Sequence, residues 1–152
     1  MTTAYRTEIT VKPLSEDDIP AAARIESLCF GRFTCAEMFV PSYRMECAAY
    51  FGAYADGVLV GYAGAFIVSD SAEVDNIAVL PEYRRKGAAT ALLSALENDA
   101  RVRGAAKLRL EVRESNTAAL SLYEKAGFYR VGVRRRYYTS PCEDAILLDK
   151  DI

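Results

Sequence analysis

The residues with the clearest chemical potential form a basic, glycine-containing loop, Arg84-Arg85-Lys86-Gly87-Ala88-Ala89. The loop follows a predicted strand over 73–80 and precedes a long amphipathic segment. The first N–H groups of a helix have no internal partner, and the helix dipole adds about half a positive charge there. A glycine at this point lets the backbone approach an anion without a Cβ in the way. The pattern therefore predicts a phosphate site.

This loop matches neither of the common nucleotide-binding fingerprints. It contains no GKS or GKT, so it is not a P-loop, and it lacks the GxGxxG spacing of dinucleotide-binding folds. A plainer interpretation is that Gly87 only ends a loop and that Arg84, Arg85 and Lys86 form a solvated surface run. The residues alone leave both interpretations open.

Glu111 is the first candidate for acid–base chemistry. It stands between Arg109 and Arg113 on the polar side of a predicted strand whose other side is apolar. The carboxylate is either a solvated charge paired with an arginine or a general base for an attacking amine, acting directly or through a water. An α-amine has a pKa near 8, so roughly a tenth of it is neutral at pH 7 and a mild base is sufficient.

Tyr123 is the second candidate. It belongs to an apolar stripe at helical spacing, made of Ala119, Leu122, Tyr123 and Ala126. The stripe indicates a core aromatic, whereas a phenol that is protonated at neutral pH can also act as a general acid. Both roles are compatible when the ring packs and the hydroxyl faces a cleft. Asn116, just before the stripe, is typical of a helix N-cap.

Composition limits the remaining chemistry. The chain contains no histidine, which excludes Ser-His-Asp and Cys-His catalysis and most zinc sites. Cys29, Cys35, Cys47 and Cys142 form no CxxC pair, which is typical of reduced thiols in a cytosolic protein. A reactive or regulatory thiol is the alternative. A net charge of −2 argues against a general nucleic-acid binder, which needs a positive excess.

The size and the hydropathy of the chain indicate one cytoplasmic domain. Its 152 residues are 51% apolar, which is enough to build a core. No stretch approaches the roughly 18 consecutive apolar residues of a membrane span. Residues 1–12 lack the apolar centre of a signal peptide. We therefore expect a single domain over residues 1–152.

Periodicity and turn signals predict the elements that must position these residues. Strands are expected over 5–12, 48–55, 58–67, 73–80, 108–112, 128–135 and 143–150, and helices over 15–30, from 34, over 88–103 and over 116–126. Asp56-Gly57 is a hairpin turn signal, and Ser15 and Thr34 are predicted N-caps. A hairpin half followed by β-α-β-α-β units predicts an α/β (mixed α+β) fold with helices packed on a mixed sheet.

The loop and its neighbours resemble a known family. Arg84-x-x-Gly87-x-Ala89 matches the Q/R-x-x-G-x-G/A signature of the GNAT superfamily of N-acetyltransferases. Asn76-Ile77-Ala78-Val79 and residues 110–128 resemble its RimI-like branch, which acetylates protein N-termini, typically the N-terminal alanine of a ribosomal protein. Arg134-Arg135-Arg136-Tyr137-Tyr138 and Glu143-Asp144-Ala145 resemble the last strand pair of that branch. The resemblance is strong over residues 73–148 and weak before residue 60.

The resemblance implies a GNAT-like fold, a twisted mixed sheet of about six to seven strands with about four helices. It implies acetyl-CoA as cosubstrate and no metal. It also implies that Glu111 is the general base and that Tyr123 protonates the departing CoA thiolate. The cofactor contacts that it implies, partly through backbone groups of the strand, are Ile77, Ala78, Val79, Arg84, Arg85, Lys86, Gly87, Ala88, Ala89, Thr90, Asn116 and Tyr123.

The chain departs from the RimI-like pattern between its first two helices. Such sequences carry a proline-tryptophan pair there, whereas this chain reads Cys29-Phe30-Gly31-Arg32-Phe33 and contains no tryptophan. The departure bears on the identity of the acceptor more than on the identity of the cofactor. Phe33, Tyr137 and Tyr138 are the candidate acceptor-binding residues, and the two tyrosines are equally well explained as ordinary strand aromatics.

Three functions are compatible with these residues. The first is an acetyltransferase for the N-terminal α-amine of a protein such as a ribosomal protein. The second acetylates a lysine, a polyamine or another small amine. The third is a CoA-binding regulatory module without turnover, against which the presence of both Glu111 and Tyr123 counts. Neither a nucleic acid nor a membrane is expected as a partner, and we expect a monomer or a weak dimer.

Overall fold

The computed structural model describes residues 7–31 and 33–152, and its strands form one seven-stranded sheet. The strands are β1 (Ile9–Pro13), β2 (Ala48–Ala55), β3 (Val58–Val68), β4 (Ser71–Val79), β5 (Lys107–Arg113), β6 (Tyr129–Tyr138) and β7 (Glu143–Asp151). Their order across the sheet is β1-β2-β3-β4-β5-β7-β6. All neighbours are antiparallel except β4 and β5, which are parallel. The predicted mixed sheet is confirmed.

Helices cover both faces of the sheet. Within the described residues they are α1 (Ile19–Phe30), α2 (Ala36–Tyr43), α3 (Ala88–Val102) and α4 (Thr117–Lys125). One apolar cluster joins α1 and α2 to the first face, and a larger one joins α3 and α4 to the second. None of the helices in this part of the chain combines the length and apolar character that crossing a membrane requires.

Local signals account for several element boundaries. Asp56 and Gly57 both have positive φ, 49° and 78°, as a two-residue hairpin turn between β2 and β3 requires. The Ser15 hydroxyl accepts a hydrogen bond from the N–H of Asp17 and caps the 3-10 turn that leads into α1. The Asn116 side chain accepts from the N–H of Ala119 at 3.1 Å and caps α4. These three predictions are confirmed.

The predicted capping box at Thr34 is wrong. Helix α2 begins at Ala36, and its N-cap residue is Cys35, which makes no side-chain cap. The N–H of Thr34 donates to the Ser27 hydroxyl at 2.9 Å, and the Thr34 carbonyl accepts from that same hydroxyl at 3.1 Å. This tie to α1 draws the threonine backbone away from the cap position, a long-range contact that local sequence does not report.

Other boundaries differ by a few residues. Strand β1 starts at Ile9 rather than at residue 5, and residues 5 and 6 lie outside the described part of the chain. Strand β4 starts at Ser71, and β6 continues to Tyr138. In α4, Leu120 rather than Leu122 packs against the core beside Ala119, Tyr123 and Ala126.

Candidate active site

The two parallel strands of the sheet separate soon after they meet. They pair at only three positions, Ser71 with Lys107, Ala72 with Leu108 and Glu73 with Arg109. Beyond these, β4 stays paired with β3 and β5 with β7. The register between β3 and β4 shifts because Asp75 is an extra residue on β4, and such a bulge bends a strand. A gap therefore opens between β4 and β5, lined by backbone edges that face no strand.

Alternation along β4 determines which peptide groups face this gap. The N–H of Leu80 donates to the carbonyl of Val60 on β3 at 2.9 Å. Peptide groups of an antiparallel strand alternate in direction, so those of Ile77 and Val79 point away from β3 and toward the gap. Ala78 faces β3 with its peptide groups and is buried against α1. Of the predicted strand residues, Ile77 directs its N–H and carbonyl to the gap and Val79 directs its N–H there, since the Val79 carbonyl accepts from the Arg84 side chain. The peptide groups of Ala78 are directed to β3.

The predicted phosphate loop lies between β4 and α3. Gly87 is the N-cap residue of α3 with a φ of 81°, and Arg85 also has a positive φ, 62°. A Cβ at Gly87 would meet no atom within 4 Å, so the left-handed backbone, rather than crowding, requires glycine here. The N–H of Ala91 donates to the Gly87 carbonyl at 3.0 Å. The N–H groups of residues 88–90 precede that bond and have no helical acceptor.

The three basic residues of the loop have different surroundings. The Arg84 Nε donates to the carbonyl of Val79 at 2.9 Å, and its Nη2 lies 3.7 Å from the Cys29 Sγ. Arg84 thereby ties the loop to the end of β4 and to α1. Arg85 is exposed, and the Lys86 ammonium lies 5.4 Å from the centroid of the Tyr83 ring. Arg85 and Lys86 are therefore the residues whose positive charges are most accessible to a bound anion.

Glu111 lies on β5, and 29% of its side chain is exposed. Its strand neighbours Arg109 and Arg113 bind other acceptors, Asp149 in the case of Arg109. The arginine that pairs with the carboxylate is Arg134 of β6, whose Nε lies 3.2 Å from the Glu111 Oε1. The expected ion pair with an arginine is present, but it crosses the sheet instead of following the strand.

Two tyrosines lie beside this carboxylate, and a third, Tyr123, interacts with one of them. The Tyr137 hydroxyl hydrogen-bonds to Glu111, and this contact raises the pKa of Tyr137. The Tyr138 ring lies 5.1 Å from the Tyr137 ring, and burial together with the Glu111 charge raises the pKa of Tyr138. Burial, with Tyr138 adding to it, raises the pKa of Tyr123 to about 12. The structure therefore brings Tyr137 and Tyr138 to Glu111, whereas Tyr123 packs beside Phe128 and interacts with Tyr138.

The start of α4, and with it Tyr123, is held by β7. The Glu143 carboxylate accepts the N–H of Ser115 and pairs with Arg113 at 3.3 Å. Both contacts lower the pKa of Glu143. Asn116 caps the helix, and its Oδ1 is occupied by the hydrogen bond from the N–H of Ala119. Sequence reasoning gave Glu143 no role, because its partners lie far away along the chain.

A cavity of about 240 Å³ lies beside the β4 bulge, between α1, α2 and the sheet. Its walls include Glu26, Phe33, Tyr50, Tyr62 and Asp75. Phe33 was a predicted acceptor contact and lines this cavity, whereas Tyr137 and Tyr138 lie at Glu111 instead. Sequence reasoning missed the other four residues, which come from three different strands and α1.

The cavity is rich in negative charge and in phenols. Glu26 is only 8% exposed and accepts a hydrogen bond from Asn76 at 2.9 Å. Burial raises the pKa of both Tyr50 and Tyr62, and the Glu26 and Asp75 carboxylates raise both further. Tyr62 is 1% exposed, and within the described residues its hydroxyl makes no hydrogen bond of good geometry, although the nearby Asn76 side chain opposes the rise in its pKa. Such a cavity suits a cationic group that can also bond to a phenol.

Comparison with known proteins identifies the family. The acetyltransferase (GNAT) family model matches residues 19–128. The chain is 40% identical over 141 residues to the [ribosomal protein bS18]-alanine N-acetyltransferase of Escherichia coli (strain K12), covering 91% of this chain and 95% of that protein. It is 35% identical over 158 residues to the N-alpha-acetyltransferase RimI of Mycobacterium tuberculosis (strain ATCC 25618 / H37Rv), covering 98% and 96%.

Solved structures support the same family assignment. The fold matches the crystal structure of the ribosomal-protein-S18-alanine N-acetyltransferase from Escherichia coli with a TM-score of 0.86 and 37% identity, over 95% of this chain and 94% of that one. It matches Ard1 from Thermoplasma volcanium with a TM-score of 0.86 and 25% identity, over 95% and 97%. The chain therefore belongs to the acetyltransferase (GNAT) family. Within that family it belongs to the RimI-like branch, and the predicted family and fold are confirmed.

The buried hydroxyl of Tyr62 gives a stability prediction. Replacing a buried phenol that makes no hydrogen bond of good geometry removes a desolvation cost, so Tyr62→Phe should leave the free energy of unfolding unchanged or raise it by about 1 kcal/mol. Tyr43→Phe is the matched control, because the Tyr43 hydroxyl donates to the Leu14 carbonyl at 2.8 Å. It should cost about 1 kcal/mol. Urea unfolding measures both, and an equal loss in the two variants would contradict the assignment.

Proposed function

We propose that this protein transfers the acetyl group of acetyl-CoA to the N-terminal α-amine of a protein, with a ribosomal-protein alanine as the type of acceptor. The observation that carries the proposal is the gap between β4 and β5, which adjoins the N-terminus of α3 on one side and Glu111 on the other. Similarity to proteins named for this reaction, over more than nine-tenths of the chain, supports the acceptor.

The gap and the loop fit the two ends of acetyl-CoA. Its extended pantetheine arm carries amides, and the peptide groups of Ile77 together with the N–H of Val79 offer them hydrogen bonds like those of an added strand. Its diphosphate fits the free N–H groups at residues 88–90, next to the charges of Arg85 and Lys86. Bound in this way, acetyl-CoA supplies an activated thioester carbonyl to the gap.

The acceptor side of the gap is acidic. The cavity at the β4 bulge contributes Glu26 and Asp75, and Tyr137 interacts electrostatically with both Glu111 and Glu73 of β4. We call the acidic side of the gap and this cavity together the acceptor groove. Its negative charge attracts a protonated amine and favours the approach of that amine to Glu111. Phe33 and the Tyr137–Tyr138 pair then contact the acceptor from opposite sides of the groove.

The chemistry needs one proton acceptor and one proton donor. The bound ammonium group first releases one proton to solvent, which an α-amine with a pKa near 8 does readily at neutral pH. The neutral nitrogen then bonds to the acetyl carbon as the carbon–sulfur bond breaks, and the Glu111 carboxylate takes the second proton from that nitrogen, directly or through a water. The Tyr123 hydroxyl gives its proton to the departing sulfur and regains one from solvent. Because burial holds the pKa of Tyr123 at about 12, the phenol is protonated throughout the neutral range.

The base assignment predicts the effect of Glu111→Gln. Loss of the carboxylate should lower kcat/KM for the peptide acceptor by about 10²- to 10⁴-fold, while acetyl-CoA binding stays unchanged. Glu114→Gln is the matched control, since Glu114 is an exposed glutamate just beyond the same strand. Steady-state kinetics with calorimetry of coenzyme A binding separates the two effects. A Glu111→Gln enzyme that works at the wild-type rate removes the base from this residue.

The acid assignment predicts both a variant and a pH dependence. Tyr123→Phe should lower kcat by about 10²-fold. A raised pKa keeps the acid form present as pH increases, and it is lost only as pH passes through about 12. The wild-type kcat should therefore show no loss due to this group between about pH 8 and pH 10. A decline in that window that Tyr123→Phe abolishes would contradict the raised pKa, and a Tyr123→Phe enzyme with the wild-type kcat would refute the acid assignment.

The acceptor is tested with a panel of amines. Wild-type enzyme and acetyl-CoA are incubated with an alanine-initiated peptide, with the same peptide carrying a blocked N-terminus and an internal lysine, and with a polyamine. Mass spectrometry should find acetyl transfer to the free α-amine alone. Turnover of the polyamine or of the lysine without turnover of the free peptide would replace the proposed acceptor by a small amine or a lysine.

A further inference from the structure

Strand β6 is irregular at the point where it reaches the predicted base. Arg134 lies opposite Ala145 of β7, and Tyr138 lies opposite Glu143, so three residues of β6 face a single residue of β7. Within this bulge Arg136 has a φ of 51°. Its N–H donates to the Asp144 carboxylate at 2.8 Å, which holds the unusual backbone. The bulge is therefore a built feature of the strand.

The bulge brings two side chains of β6 onto one carboxylate. The Arg134 Nε lies 3.2 Å from the Glu111 Oε1, and the Tyr137 hydroxyl bonds to the same carboxylate. The Arg134 guanidinium also lies 5.6 Å from the centroid of the Tyr137 ring. A regular strand alternates its side chains between faces, so residues three apart would point to opposite sides of the sheet. The bulge is what allows both to reach Glu111.

Arg134 is held only loosely. Its side chain is 58% exposed, twice the exposed fraction of Glu111, and the charge pair is open to water. Arg109 and Arg113, the strand neighbours of the carboxylate, are engaged by other acceptors. Exposed ion pairs of this kind are weak, so a competing cation can replace the guanidinium at little cost.

We propose that Arg134 occupies the place of the acceptor's ammonium group on Glu111 and is displaced when the acceptor binds. The inference rests on the proposed function, since it needs a cationic amine that approaches Glu111. Arg134 then competes with the acceptor for the carboxylate: it keeps a cation on Glu111 while the acceptor is absent, and acceptor binding is an exchange of one cation for another. It leaves the carboxylate before chemistry and takes no part in the transfer.

Steady-state kinetics with an alanine-initiated peptide tests the exchange. Arg134→Gln removes the competing cation, so the KM for the peptide should fall by about two- to five-fold, with kcat within about two-fold of wild type. Arg134→Lys keeps a cation and should restore the wild-type KM. Arg135→Gln, the same charge change on the exposed neighbouring residue, should leave the KM unchanged. The KM for acetyl-CoA should not move in any variant.

A second ligand distinguishes exchange from a structural role. The desamino form of the peptide lacks the ammonium group and cannot compete with Arg134. Its inhibition constant should therefore be the same for wild type and Arg134→Gln. An inhibition constant that falls together with the KM would show that the groove has changed shape, and an unchanged or raised KM would show that Arg134 does not compete. Either result overturns the inference, as does an equal fall in Arg135→Gln.

A direct readout keeps this test separate from that of the proposed function. The NMR signal of the Arg134 Nε–H in the wild-type protein should shift when alanine amide is added, because the guanidinium leaves the carboxylate. If no peptide is acetylated and the signal still shifts, the proposed function fails and the exchange stands. If the peptide is acetylated and the signal stays fixed at saturating amine, the exchange fails and the proposed function stands.

Discussion

The separation of two parallel strands is the constraint on which the rest of this structure depends. Strands β4 and β5 pair at three positions and then each keeps only its outer neighbour. Unpaired peptide groups inside a sheet are costly unless water or a ligand satisfies them. The gap is therefore suited to a ligand that pairs with these edges, and the cavity beside the Asp75 bulge lies next to it. The loop at the start of α3 continues the same edge.

Charge is distributed around the gap in two parts. The α3 end carries free N–H groups with Arg85 and Lys86, which suit a diphosphate. The opposite face carries Glu26, Asp75 and Glu111, which suit an ammonium group. A net charge of −2 for the whole chain conceals this division. In the proposed function, this division would direct an anionic cosubstrate and a cationic acceptor to different sides of one gap.

Features governed by neighbours in sequence were predictable. The Asp56-Gly57 turn and the Asn116 cap follow from local backbone preference, and the structure has both. Gly87 was predicted for the close approach of an anion, and the structure adds that its backbone is left-handed. The alternation that puts Glu111 on the polar side of β5 is equally local. The local geometry of the loop proposed to bind the cosubstrate was therefore accessible from the sequence, and the family resemblance suggested the ligand.

Features governed by distant neighbours were not predictable. Thr34 is drawn from the cap position by Ser27, and Glu111 is paired by Arg134 rather than by either arginine beside it. The cavity around Tyr62 needs the ring of Tyr50 to lie where Gly64 has no side chain, an arrangement that no spacing rule indicates. Sequence patterns report which face a residue occupies, whereas these contacts depend on how separate elements pack.

The most direct test is an NMR titration of the protein with coenzyme A, following each backbone amide. The account predicts that the amides of residues 87–90, together with those of Ile77 and Val79, show the largest shifts and saturate with one binding curve. Shifts that leave the start of α3 and the β4 edge untouched, or that concentrate elsewhere on the protein, would contradict it.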